Sequence, residues 1–199
     1  MAINFANNSS LANITSLPAS ISGGGLTLVS SQTASASASL EFSLDDSYDS
    51  YVFKFYNLHP ATDGVDFTFN MSTDNGSTYA VTKTTSVFTA FHDEANTSTG
   101  LIYRTGEDLA QSTAFQLLAN NMGNGADENL GGYLQIFNPS SNTFVKHFIS
   151  RTSGYNSGDY MRDNFNAGYG NTTSPVTNLK FQFVSGNIDD GIIKMYGVA

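Results

Sequence analysis

The densest run of catalytic residue types in this chain is His92-Asp93-Glu94. In an extended segment alternate side chains share a face, so His92 and Glu94 would stand side by side. Such a pair could hold a metal or work as a general acid and base. The commoner reading of the surrounding AFHDEANTSTG is a polar strand end running into a loop. His59 precedes Pro60 in a polar connection, and His147 lies in an alternating segment between Lys146 and Phe148. No serine sits in a G-x-S-x-G elbow, and neither a phosphate loop nor a zinc-ligand spacing occurs. Asp45-Asp46, Asp63 with Asp66, and Asp189-Asp190 offer the oxygen ligands that calcium takes. As acidic turns they read first as solvated carboxylates. No catalytic residue, metal site or cofactor is assigned.

Tyrosine in polar loops points to binding instead. Tyr155, Tyr160 and Tyr169 lie within SGYNSGDYMRDNFNAGYG, a stretch rich in Gly, Asn and Ser. Aromatic faces stack on sugar rings, and this composition also makes adaptable protein-binding loops. The three tyrosines are the candidate ligand-binding residues, and a host-surface glycan is the candidate ligand. The alternative is that they cover a sheet end.

The elements that must position these residues are β-strands. Tyr51, Phe53 and Phe55 alternate with Val52, Lys54 and Tyr56; after a loop holding Pro60 and Gly64, Val65, Phe67, Phe69 and Met71 alternate with Asp66, Thr68 and Asn70. A period of two is the strand period, and the pair reads as a central hairpin. Leu26–Ser30 and the alternation of Leu40, Phe42 and Leu44 give strands before it. Asn75-Gly76 marks a turn between FTFNM and TYAVT, predicting a second hairpin. Ser86–Phe91 alternates again, and Tyr133–Phe137 with Phe144–Ile149 predicts a third hairpin. Residues 107–122 read as a strand around Phe115 and Leu117 with a helical turn beside it, and 152–174 as a long functional loop. Leu179–Phe183 and Ile192–Tyr196 close the chain. Roughly ten short strands without a long helix predict an all-β antiparallel sandwich, jelly-roll-like.

Composition narrows the function classes. A net charge of −9 argues against a nucleic-acid partner, since phosphate binding needs a basic face. Only 13% of residues are charged, so Ser, Thr, Asn and Gly must cover the surface, as in extracellular and virion β-proteins. Fifteen Phe and ten Tyr supply a core; with no Cys, packing or assembly must stabilise it. MAINFANNSS has neither a basic start nor a long apolar run, so no signal peptide is expected. No stretch approaches the ~18 apolar residues of a membrane-spanning helix, so no membrane insertion is expected.

Residues 1–25 lack a regular pattern and end in Gly23-Gly24-Gly25. The plain reading is a disordered leader; spaced apolar residues at Ile3, Phe5, Leu11, Ile14 and Leu17 favour an extended arm that anchors to a neighbouring subunit. The expected organisation is that arm followed by one β-sandwich domain over residues 26–199.

Three stretches carry a family resemblance: SQTASASASLEF (residues 31–42), YVFKFYNLHPA (51–61) and the closing Phe181-x-Phe183-x-Ser185-Gly186-Asn187-Ile188 with Gly191-Ile192-Ile193-Lys194-Met195-Tyr196-Gly197. On these the chain resembles virion and tail-fibre-type structural proteins of marine tailed bacteriophages, those of cyanobacteria above all. The resemblance covers residues 26–199 and brings no catalytic residues with it. It implies a non-enzymatic protein of the virion, assembled in the bacterial cytoplasm beside other capsid or tail proteins. The expectation is a tail fibre, spike or receptor-contact module, with a homotrimer as its assembly. The alternatives are a capsid decoration protein, a carbohydrate-binding module without a structural role, and a hydrolase centred on His92 and Glu94.

Overall fold

The computed structural model describes residues 25–199, so the arm residues Ile3, Phe5, Leu11, Ile14 and Leu17 lie outside the described residues. Twelve strands follow one another: β1 (Thr27–Thr33), β2 (Leu40–Ser43), β3 (Ser50–Pro60), β4 (Val65–Ser72), β5 (Lys83–Asp93), β6 (Thr99–Tyr103), β7 (Gln116–Met122), β8 (Leu130–Phe137), β9 (Lys146–Asn156), β10 (Tyr160–Gly170), β11 (Asn178–Phe183) and β12 (Ile188–Val198). Among the described residues there is no helix, and every pairing is antiparallel.

One ladder runs β1-β12-β3-β8-β9-β10-β5-β6, and a second runs β7-β4-β11-β2. They join through a single pair, Met122 with Asn156. The chain between β1 and β2 brings the ends of the path together, where Gln32 Nε2 donates to the Glu41 carbonyl at 2.5 Å. The whole is therefore a nearly closed antiparallel sheet.

The predicted inward faces are the observed ones. Tyr51, Phe53, Phe55, Phe67, Phe69 and Met71 are each at most 2% exposed. Their strands do not form a hairpin, however. β3 pairs with β12 and β8, and β4 pairs with β7 and β11. The connection over residues 61–64 carries the chain from one ladder to the other, and Phe55 meets Phe67 ring to edge at 5.4 Å. Alternation says which face is buried; it does not say whether two such faces lie beside or opposite each other.

The same distinction undoes the second predicted hairpin. Asn75 and Gly76 do take positive φ, 58° and 83°, but TYAVT is not a strand, and β4 and β5 do not pair. The third hairpin is present as β8 and β9. The helical turn and strand expected over 107–122 resolve into loop and β7. His59 belongs to β3 instead of a loop. Residues 152–174 are mostly strand, the end of β9 and all of β10, which pairs with β9 and β5 along its length. Many of their polar side chains are buried, so the polarity that suggested a loop is a polar interior.

β3 and β12 slip register where Asn57 (φ 49°) faces Gly191 (φ 117°). A Cβ at Gly191 would stand 2.6 Å from the Asn57 carbonyl oxygen and 2.7 Å from Leu58 Cα. Gly191→Ala is expected to lower stability by about 3 kcal/mol through strain and overlap, read as a shift in the urea midpoint at unchanged m.

Candidate functional site

The ribbon β9-β10-β5-β6 has two unlike faces. Strand alternation and cross-strand register put Tyr160, Arg162, Asn164 and Asn166 of β10 on the inner face with Thr85, Val87, Thr89 and Phe91 of β5. Met161, Asp163, Phe165, Ala167 and Tyr169 point outward beside Arg151 and Tyr155 of β9.

Against β7 the inner face is a buried polar seam. Thr85 Oγ1 donates to Gln116 Oε1 at 2.6 Å, and Thr152 Oγ1 donates to the Leu118 carbonyl at 2.6 Å. Thr89 Oγ1 donates to Asn164 Oδ1 at 2.9 Å. Buried polar groups are tolerable when paired in this way, and the pairing fixes one register where apolar packing would allow several.

The seam opens at one end into a cleft of about 250 Å³ lined by Thr89, Phe91, Ser98, Ile102, Arg104, Tyr160 and Arg162. Phe91 and Tyr160 meet edge to face at 5.8 Å, and the Arg162 guanidinium lies 5.8 Å from the Tyr160 ring centre. Arg104 Nη2 pairs with Glu107 Oε1 at 2.8 Å, and Asn120 Nδ2 donates to the same oxygen at 2.9 Å. Arg162 forms no ion pair among the described residues. Burial and the neighbouring Arg104 both push its pKa down. The Nε atoms of Arg104 and Arg162 are buried without a hydrogen-bond partner.

On the other face, a second cleft of about 520 Å³ gathers His92, Asp93, Glu94, Asp127, Asn129, Ser153, Tyr155 and Met161. His92, near the end of β5, and Glu94, in the turn just beyond it, thus line one cleft. His92 Nε2 donates to Asn96 Oδ1 at 3.1 Å, and Asp93 caps the following turn by accepting from the amides of Thr97 and Ser98 at 2.8 Å each. Partial burial, with Glu94 and Asp159 nearby, raises the Tyr155 phenol to about 12. Among the described residues no three His, Asp or Glu side chains converge as a metal site.

The three candidate tyrosines are not brought together. Tyr155 lines the larger cleft and Tyr160 the smaller one on the opposite face, while Tyr169 packs beside His147 at 5.9 Å. Tyr169 lies nine positions beyond Tyr160, roughly 30 Å along the strand. They form no common stacking platform. Arg104 and Arg162 are what sequence reasoning missed. The available signal was their rarity, since the chain holds three arginines against a net charge of −9.

Across the outer face runs one further feature. Lys194, Lys54, Tyr133, Arg151, Phe165, Phe88 and Tyr103 stand in direct register over seven strands. Lys54 lies over Tyr196 at 5.5 Å and Lys194 over Tyr56 at 5.4 Å. Phe88 and Phe165 stack at 4.7 Å, with the Arg151 guanidinium 4.8 Å from the Phe165 ring centre. Tyr103, Phe88 and Tyr133 are exposed, and Leu101 beside them is 70% exposed.

No known family matches this sequence, and neither a curated protein nor a solved structure matches it.

Proposed function

We propose that this protein is an exterior structural component of a tailed-phage particle, a fibre, spike or receptor-contact module that binds and does not catalyse. Its two ladders pack as a jelly-roll-like sandwich, and three copies assemble around an axis. The observation that carries the reading is the aromatic and cationic row across the outer face. A row that exposes Phe88, Tyr103 and Tyr133 around a half-buried Phe165 is unusual on a monomer and suits a partner surface. Aromatics and arginine are also the side chains enriched where protein interfaces bind tightly. A surface poor in charge, and the absence of Cys, fit a protein built in a reducing cytoplasm and then exposed outside.

Two measurements test this. Light scattering after gel filtration is expected to give three times the 21.3 kDa chain mass. Phe88→Glu places a carboxylate in the middle of the row and is expected to yield a folded monomer with unchanged circular dichroism, at a cost of about 1 kcal/mol for the lost stacking on Phe165. A trimeric Phe88→Glu variant would exclude this face as the contact. In the second measurement, host cells preincubated with purified protein are expected to adsorb fewer particles; undiminished adsorption at saturating protein would count against the host-contact role.

A further inference from the structure

The cleft between Arg104 and Arg162 has the parts of an anion site, placed on the face that the outer-row assembly leaves clear. Two guanidinium groups come from different elements, Arg162 from β10 and Arg104 from the residue following β6. Each has a buried Nε–H that nothing in the described chain accepts. An unpaired buried donor costs on the order of 1–3 kcal/mol, and two such donors beside one cleft form a repeated defect unless a ligand or solvent takes them. Glu107 offsets the charge of Arg104, its remaining oxygen Oε2 being buried without a partner. Asp93, which lines the other cleft, accepts from Thr97 and Ser98. Asp66 accepts from the Asn121 amide at 2.8 Å. Arg162 therefore lies in the field of Glu107 and Asp66 but has no carboxylate in ion-pair contact among the described residues.

The walls add shape to that charge. The Phe91 and Tyr160 rings present an apolar corner, and Gly100 leaves the room that the Phe91 ring fills, since a Cβ there would stand 2.9 Å from it. Thr89 and Ser98 contribute hydroxyl groups. The volume, about 250 Å³, falls below that of drug-sized pockets and suits a single ring. A bare inorganic anion would need the guanidinium groups and leave the aromatic corner unused. A neutral sugar would use the corner and leave the buried donors unpaired.

We infer that this cleft binds one carboxylate-bearing sugar residue of an anionic surface polysaccharide, its carboxylate on the guanidinium groups of Arg162 and Arg104 and its ring against Tyr160 and Phe91. Planar guanidinium matches carboxylate through paired, charge-assisted hydrogen bonds, which lysine would not reproduce. The inference names a ligand class for the host-contact reading and rests on it.

The test uses the full chain labelled with ¹⁵N and trigalacturonate as probe, with galactotriose and inorganic phosphate as the comparison arms. The three arginines give three Nε–H signals. Trigalacturonate is expected to move those of Arg104 and Arg162 and leave Arg151, which is held by Asp163, in place. Galactotriose is expected to bind at least about tenfold more weakly, and Arg162→Gln to weaken trigalacturonate by a similar factor with the fold intact by circular dichroism. Arg162→Lys, which keeps the charge and loses the fork, is expected to recover less than half of that loss in binding free energy. Unmoved signals with trigalacturonate, or equal binding of galactotriose, would overturn the inference. So would phosphate moving the two signals as strongly, since the cleft would then select an anion and no sugar. A chain present on particles yet indifferent to the probe removes the ligand assignment and leaves the structural role standing.

Discussion

Phe181→Ala is expected to cost about 5 kcal/mol of folding stability, the upper end of the range for a buried aromatic. The reason is position. Phe181 sits in β11 with no exposure, and its ring lies 5.2–6.3 Å from those of Phe42, Phe53, Phe55, Phe67 and Phe69. Phe53 and Phe55 belong to the longer ladder, and Phe42, Phe67 and Phe69 to the shorter one. One ring therefore joins both halves of the sheet, which share a single backbone pair. Urea unfolding followed by fluorescence measures the loss. Phe181→Leu, expected to cost about 2 kcal/mol, keeps the comparison available if the alanine variant does not fold. Phe144→Ala is the control: Phe144 is 69% exposed and its loss is expected to fall within about 0.5 kcal/mol of zero. Equal effects at the two positions would mean that the aromatic centre is not what holds the ladders together.

The second large effect concerns Lys83. Its side chain has no exposure, and its amine donates to Asn70 Oδ1 at 2.6 Å and to the Val81 carbonyl at 2.8 Å, with no carboxylate in contact among the described residues. Burial penalises the ammonium form and lowers the pKa from 10.5 to about 7. Between those values the unfolded chain holds a proton that the folded chain has released, so stability rises with pH across the window. Below about pH 7 the full penalty is present, roughly 5 kcal/mol, and it fades as pH approaches 10. Lys83→Met keeps the stem and removes the amine. The variant is expected to be about 2 kcal/mol more stable than the parent at pH 6.5, because Asn70 Oδ1 retains the Met71 amide at 2.8 Å while the Val81 carbonyl loses its donor. By pH 9.5 the advantage is expected to vanish. That limit stays below the phenol range, where Tyr51 and Tyr79, both pushed upward chiefly by burial, begin to contribute with the opposite sign. A variant that keeps the parent's rise between pH 7 and 9.5 would assign the slope to another group.

How much of this was legible in the sequence follows from what alternation encodes. The inward sets of β3, β4 and β11 stood in plain view, because aromatic residues every second position can only be a buried strand face. Their partners did not, since pairing across an edge and packing across a core leave the same pattern. β10 was hidden for a different reason. Tyr160, Arg162, Asn164 and Asn166 alternate with Met161, Asp163, Phe165 and Ala167, so the period was present but the polar side was the inner one. Polarity read as exposure turned that strand into a loop, and with it went the arginine cleft. The three tyrosines were seen as residues, but their opposed faces depended on the strand that was missed. His92 and Glu94 line one cleft, as their spacing suggested, although β5 ends at Asp93 and Glu94 lies in the turn beyond it.

The proposed role places this chain on the outside of a particle. Immunogold labelling of intact, purified particles with antibody against the described domain tests it most directly. Gold is expected at the particle periphery, on the tail or its fibres. Particles that carry no label, and whose digests contain no peptide of this chain, would contradict it.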